Sequence, residues 1–399
     1  MSLPRTLAIA FAVAGADICG AQDRESAYSL DLVYTGEVWR NTHGGIRTGN
    51  SYLDNLDVQL SVDGERAWGV PGLTLFGYVM HNNGGSVTED LVGDAQAISN
   101  IEALDQVRLY EFWADYAFGP ERAHSLRFGL YDLNSEFDAS EVGALFVNSG
   151  HGIGTQIGQT GLNGPSIFPV TSLAARLRWQ PASDWTVLLA ALDGVPGDPD
   201  HPSSNRIHLG GEDGYLLAAE VGWQKGRLRK LALGGWTYTG HFDELLEVDT
   251  GGAPLRSRGN NGVYALGEVS LWSSDEGAPR SLDAYARFGT ADGRINRFDR
   301  AWAMGVVATG LFRGRPEDQL GLGVATAQNG STYRSLSEMA GEAVNSREHA
   351  IELTYRGAVS DWLVLQPVVQ HIVNPNTVAS HKDALAVALR FEVAWGKGF

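Results

Sequence analysis

From Ser29 onward, apolar residues recur at every second position in segments of about eight to eleven residues. That is the period of a β-strand and the length of one crossing a bilayer at a tilt. In Ala384 to Trp395, one face carries Leu385, Val387, Leu389, Phe391, Val393 and Trp395, while the other carries Ala384, Ala386, Ala388, Arg390, Glu392 and Ala394. Asn55 to Asp63 repeats the arrangement, with Leu56, Val58, Leu60 and Val62 opposing Asn55, Asp57, Gln59, Ser61 and Asp63. Val263 to Leu271 and Leu282 to Phe288 follow suit, with Glu268, then Asp283 and Arg287, on the polar side.

The connections alternate in length. Short ones fall near Gly64 to Gly72, Gly119 to His124, Pro181 to Asp184, Gln224 to Lys230, Ser273 to Ser281, Arg313 to Asp318 and Gly357 to Asp361. Long ones fall near Asn41 to Ser51, His81 to Asp105, Asp132 to Thr171, Asp193 to Gly214, Thr239 to Asn260, Gly289 to Arg300, Gln328 to Arg347 and Val373 to Asp383. Roughly seven short and eight long connections predict an all-β fold, a transmembrane antiparallel β-barrel of about sixteen strands with both termini on the short-turn side.

The second face repeatedly bears charge, at Glu37, Glu220, Arg287, Glu352, Arg356 and Arg390. A wall of about sixteen strands is too wide to fill its own interior with side chains, so the polar face belongs to water inside and the apolar face to lipid outside. Trp185, Trp223, Trp272, Trp362 and Trp395 fall near predicted strand ends, where an aromatic girdle meets the headgroups.

Composition adds limits. The chain has 399 residues, 50 of them Gly, and a net charge of −17. With no clustered basic run it lacks the footprint of a nucleic-acid binder. Beyond the first twenty residues no apolar run approaches the length of a transmembrane helix, and the mean hydropathy of −0.15 reflects apolar residues diluted by alternation. Met1 to Ala21 reads as a cleaved export signal, with Arg5 in its basic region, Thr6 to Ala16 as its apolar stretch and Cys19-Gly20-Ala21 before the cleavage point. Residues 22–399 then form a single barrel domain. The only cysteine, Cys19, leaves with the signal, so disulfides, thiolate chemistry and cysteine-ligated zinc are excluded from the remainder. No cofactor or metal is implied.

Four stretches resemble the carbohydrate-selective porins of the outer membrane, the OprB-type family. They are Glu37 to Tyr52 with Asn41, Gly44 and Gly45; Arg127 to Phe137 with Gly129 and Ser135-Glu136-Phe137; Leu311 to Val324 with Gly314, Asp318 and Gly321-Leu322-Gly323; and Ile351 to Arg390 with Asp361-Trp362, Gln366-Pro367, Gln370 and Asn374-Pro375. The turn after Asn374-Pro375 departs from the pattern in lacking glycines, and the tail Gly396-Lys397-Gly398-Phe399 trails the last strand. The resemblance implies passive diffusion of glucose-like sugars through a barrel narrowed by an inward-folded third loop. The residues of that loop agree. A forty-residue connection, Asp132 to Thr171, exceeds ordinary loop lengths, and Phe137, Leu145, Phe146, Val147, Ile153, Ile157, Leu162, Ile167 and Phe168 make it too apolar for a free tail. An external loop covering a neighbouring subunit is the alternative.

A sugar channel needs donors and acceptors that replace water without trapping the solute. Period-two counting points Arg127, Arg176, Arg178, Arg287, Arg356 and Arg390 inward, together with Glu37, Asp57, Gln59, Glu111, Asp115, Glu220 and Glu268. The third loop offers Glu136 and Asp138 to the constriction, and Trp39 and Trp113 are candidates to stack on sugar rings. For any one of these charges, a salt bridge holding the loop competes with solute contact. Phe399, ending the last alternating strand, resembles the signal by which barrels are handed to the insertion machinery. The expected partners are neutral mono- or oligosaccharides, outer-membrane lipid, that machinery and, as an open possibility, further copies of the chain. A general, non-selective porin is the nearest alternative. A barrel hydrolase is further off, since there is no Gly-x-Ser-x-Gly elbow and no His-Glu-x-x-His run.

Overall fold

The computed structural model describes residues 26–201, 207, 214–274 and 280–398. The segment read as an export signal and the terminal Phe399 lie outside them. Sixteen strands run β1 (Tyr28–Gly45), β2 (Gly49–Asp63), β3 (Leu73–Gly84), β4 (Gln106–Phe118), β5 (His124–Tyr131), β6 (Ser172–Ala182), β7 (Trp185–Asp193) and β8 (Tyr215–Lys225). They continue as β9 (Leu228–Val248), β10 (Pro254–Ser274), β11 (Arg280–Ala291), β12 (Phe298–Thr309), β13 (Gln319–Asn329), β14 (Arg347–Ser360), β15 (Leu363–Val373) and β16 (Lys382–Gly398). Every strand pairs antiparallel with its sequence neighbours, and β1 closes on β16, so that Glu37 faces Arg390 and Leu32 faces Trp395. Closure removes the exposed edges that an open sheet would present to lipid.

The alternation is realised as expected. On β16 the side chains of Leu385, Leu389 and Trp395 are exposed, while Ala384, Ala386, Arg390 and Glu392 are buried. The short-turn ends carry exposed Trp185, Trp272, Trp362 and Trp395, with Trp185 and Trp223 6.2 Å apart on adjacent strands. Of the short turns, the one after β2 is a single helical turn, α1 (Gly64–Trp68). Asp63 caps it by accepting from the Glu65 and Arg66 amides, and Gly69 ends it at φ 69°.

Two long connections are shorter than the pattern suggested. β9 and β10 keep pairing through most of Thr239 to Asn260 and turn only between Val248 and Pro254. β1 and β2 likewise run on to Gly45 and Gly49. Polar residues interrupt the alternation there because the hairpins have left the membrane, where neither face must be apolar. The connection Asp132 to Thr171 spans the whole gap between β5 and β6, with one helical turn, α2 (Thr155–Gly158), inside it. The connection from β13 to β14 holds α3 (Ser331–Met339).

The turn after β15 lacks glycine yet adopts glycine-like backbone: Asn374, Asn376 and Thr377 have φ of 56°, 51° and 58°. A β-branched residue in this region is strained. Thr377 is held there because its Oγ1 accepts from Asn329 Nδ2 at 2.7 Å and from Arg297 Nη2 at 3.0 Å.

Gly129 on β5 sits opposite Trp113 at φ 141°, and a Cβ there would lie 2.1 Å from the Phe112 carbonyl oxygen. Gly129→Ala is therefore expected to destabilise the barrel by about 1–3 kcal/mol, read as a lower midpoint for loss of the compact, heat-modifiable band in urea-titrated electrophoresis.

Candidate functional site, a lumen narrowed by two loops

The third long loop packs against the inward face of the far wall. Some of its amides bond within its own short turns, but those facing the wall are buried from water without a partner in the loop, so each needs an acceptor. Wall carboxylates supply them. Asp138 N donates to Glu220 Oε2 at 2.9 Å, Val142 N to Glu268 Oε1 at 3.1 Å, and Val147 N and Asn148 N to the two oxygens of Glu352 at 2.8 Å each. At the loop's start, Asp132 N donates to Glu111 Oε1 at 2.8 Å.

The loop's carbonyls are gathered by one guanidinium. Arg287 on β11 donates from Nη1 to Asp138 O and Gly152 O, both at 3.0 Å, and from Nη2 to Gly150 O at 3.3 Å and His151 O at 2.6 Å. Its Nη1 also lies 3.3 Å from Asp138 Oδ2. Arginine alone presents enough donors in one plane to serve so many acceptors.

Packing completes the seat. Phe146 enters a recess whose floor is glycine: a Cβ at Gly305, Gly321 or Gly323 would come within 3.0 Å of its ring. His151 stacks on Phe146 at 4.4 Å, and its Nδ1 meets the Tyr285 hydroxyl. Burial, with Arg287 nearby, pushes the His151 pKa down to about 3, so the ring is neutral.

The second long loop, His81 to Asp105, also enters the barrel. Val87, Leu91, Val92 and Ile98 are fully buried against Trp39, Leu53, Ala350, Ala384 and Ala386. Ala95 N and Gln96 N donate to Glu348, and Gln370 Nε2 donates to Ile98 O at 2.8 Å. The two loops then meet, Asn100 N donating to Val147 O at 2.8 Å and Ser149 N to Ala97 O at 3.0 Å.

The inward positions inferred from the sequence all lie on the barrel's inner face, but they divide into two groups. Glu111, Glu220, Glu268 and Arg287 are buried under the third loop as its anchors. Glu37 and Trp39 are wholly buried, Trp39 Nε1 donating to Glu37 Oε2. Arg390 Nε donates to Glu37 Oε1 at 2.6 Å, Arg356 pairs with Glu392 at 2.6 Å, and Asp57 accepts from Tyr78 OH at 2.6 Å. Asp138 is wholly buried, so of the two loop acids only Glu136 reaches the near wall.

There, β4, β5 and β6 bring together Asp115, Arg127, Arg176 and Arg178. Arg176 bridges Glu136 Oε2 at 2.7 Å and Asp115 Oδ2 at 2.8 Å, while Arg127 Nε donates to Asp115 Oδ2 at 3.0 Å. Tyr131 OH donates to Glu136 Oε2 at 2.6 Å. Burial works to raise the Glu136 pKa, but Arg127 and Arg176 together outweigh it and hold the carboxyl below its ordinary value. Arg127 retains 16% and Asp115 13% side-chain exposure, and Arg178 and Gln59 are also partly exposed.

Stacking on sugar does not fit either tryptophan. Trp39 is fully buried, and Trp113 is covered by the Arg127 guanidinium at 3.7 Å and by the Phe76 ring at 4.9 Å. Sequence counting also missed Arg108 and Tyr110, which are buried on the inner face with Glu111. A register shift opposite Tyr78 and Val79 turns both Tyr110 and Glu111 inward, and no strict alternation shows a bulge. The apolar Val87, Leu91, Val92 and Ile98 were the available signal for the second loop.

Residues 47–395 match the model of the carbohydrate-selective porin family OprB. The chain belongs to this family. It is accordingly a porin of the bacterial outer membrane through which small carbohydrates diffuse. Porin B of Pseudomonas aeruginosa is 25% identical over 413 aligned residues, which cover 93% of this chain and 88% of the relative. The fold resembles the high-pH structure of Pseudomonas putida OprB, with a TM-score of 0.81 at 21% identity over 93% of this chain and 94% of that one. It also resembles the outer membrane channel DcaP of Acinetobacter baumannii, with a TM-score of 0.57 at 11% identity over 94% of this chain and 99% of that one.

Arg287→Ala removes the donor shared by four carbonyls and strands Asp138, a loss of about 3–5 kcal/mol for a broken buried ion pair. The third loop should leave its seat, and single-channel conductance in a planar bilayer should rise; unchanged conductance would show that packing alone holds it. A second outcome concerns pH. The folded His151 pKa lies below the ordinary 6.5, so its contribution is complete above about pH 6.5 and declines as pH falls toward about 3. Acidification over that window should loosen the loop and raise conductance in the parent, and less so in His151→Gln.

Proposed function

We propose that sugars cross the constriction along the β2–β6 wall, with Arg127, Arg178 and Asp115 on β4–β6 and Gln59 on β2 exchanging hydrogen bonds with sugar hydroxyls as water is shed. The observation that carries this reading is the part-exposed Arg127–Asp115 pair, 3.0 Å apart, beside Arg178, which forms no ion pair among the described residues. Arg176 and Glu136 serve this pair by fixing its geometry from behind. Charge-assisted hydrogen bonds favour a hydroxyl-rich solute, and opposed charges a few ångströms apart leave little net field to trap a neutral one. Transport is passive, and no chemical step accompanies it.

The same reading takes β16, with Phe399, as the segment received by the barrel-insertion machinery; the clean alternation of Leu385 to Trp395 supports it.

Arg178→Ala is expected to raise the glucose concentration that half-blocks single-channel current by about ten-fold, the equivalent of roughly 1.4 kcal/mol, with the conducting barrel intact. A half-block unchanged in Arg178→Ala and in Arg127→Ala would move the sugar route elsewhere. Openings insensitive to any sugar in the parent itself would make the channel a general porin.

A further inference from the structure

On the lipid-facing side of β12, β13 and β14, the register sets Arg300 opposite Gln328 and Gln328 opposite Arg347. Both arginines are exposed, and α3, in the loop joining β13 to β14, adds exposed Arg334. Arg300 and Arg334 both act electrostatically on Asp299, and Glu338 is the exposed acid on α3. None of the three arginines forms an ion pair among the described residues, in a chain whose net charge is −17. Exposed arginines without ion-pair partners on so acidic a protein point to an anionic partner.

Its height narrows the choice. The row lies at the long-loop end of the strands, the outer side of an outer-membrane barrel. From Gln328 to Gln319 along β13 is about nine residues, or roughly 30 Å of strand, which a tilt of about 40° converts to roughly 23 Å of depth. That matches the apolar band of such barrels, about 25 Å tall, so the arginines sit at its outer boundary. One rung inward are Trp302, Thr326 and His349, with Thr326 Oγ1 and His349 Nδ1 2.8 Å apart and the Trp302 and His349 rings at 6.0 Å. Below them the wall exposes Met304, Leu322, Ile351 and Leu353.

We propose that this sector binds a phosphorylated glycolipid of the outer leaflet. Arg300, Arg347 and Arg334 hold the headgroup phosphate, the amide of Gln328 hydrogen-bonds the headgroup sugar, and the acyl chains lie on Met304, Leu322 and Ile351. Guanidinium forks suit phosphate, and basic side chains at a membrane boundary draw anionic headgroups. A water-soluble protein partner would leave the apolar rungs below unused.

The test uses the full-length barrel in detergent and native mass spectrometry, with lipid A, a bis-phosphorylated acylated disaccharide, as the probe. Lipid A should bind the parent at least ten-fold more tightly than its dephosphorylated form, a comparison that needs no variant. Arg300→Gln with Arg347→Gln should lose that preference while glucose block of the channel stays as in the parent. Equal binding of the two lipids, or full retention of lipid A by the double variant, overturns the proposal. Competition by inorganic phosphate at concentrations similar to lipid A would make the sector a free-anion site and overturn the lipid assignment.

Discussion

Irregular backbone inside a membrane barrel must find hydrogen-bond partners that neither helix nor strand provides, and this requirement shapes the interior. Two long stretches of such backbone cross the lumen. Glu111, Glu220, Glu268, Glu348 and Glu352 each project from the wall to accept loop amides. Arg287 does the reverse for loop carbonyls. These residues would cost the barrel dearly if left buried without partners. Placed against loop backbone, the same charges make the loops part of the wall.

The loops also decide which polar groups stay wet. Filling the β8–β15 side with the third loop and the β14–β2 side with the second leaves the arginines of β5 and β6, with Asp115 and Gln59, among the polar groups that keep some contact with water. Glu136 crosses to them because Arg176 and Tyr131 hold its carboxylate. The constriction thus arises as the remainder after the anchors are seated. Its arginines outnumber its carboxylates, Arg127, Arg176 and Arg178 against Asp115 and Glu136, although the whole chain is acidic.

The face on which a residue of a regular strand lies was legible in the sequence because one side must satisfy lipid, and lipid enforces period two. The extent of the third loop was legible for the same reason, since β5 and β6 end where alternation ends. What a given inward residue touches was not. Glu220 and Arg178 have the same periodicity, yet one is sealed beneath a loop and the other remains partly open. That difference depends on how a loop folds far from either residue in sequence. The double inward turn at Tyr110 and Glu111 escaped because a bulge leaves no mark in composition. The tall β9–β10 hairpin escaped because, beyond the membrane, nothing forces its faces apart in polarity.

The meeting of the two loops has a mechanical consequence. One is fastened to β14, β15 and β16, the other to β8, β10, β11 and β14, and the amides of Asn100 and Ser149 lock one to the other. Together they form a cross-brace from one side of the cylinder to the other. Such a brace opposes flattening of the cylinder along the line between its two anchored sides. The width of the passage is then tied to one joint, the two hydrogen bonds between Ala97–Asn100 and Val147–Ser149.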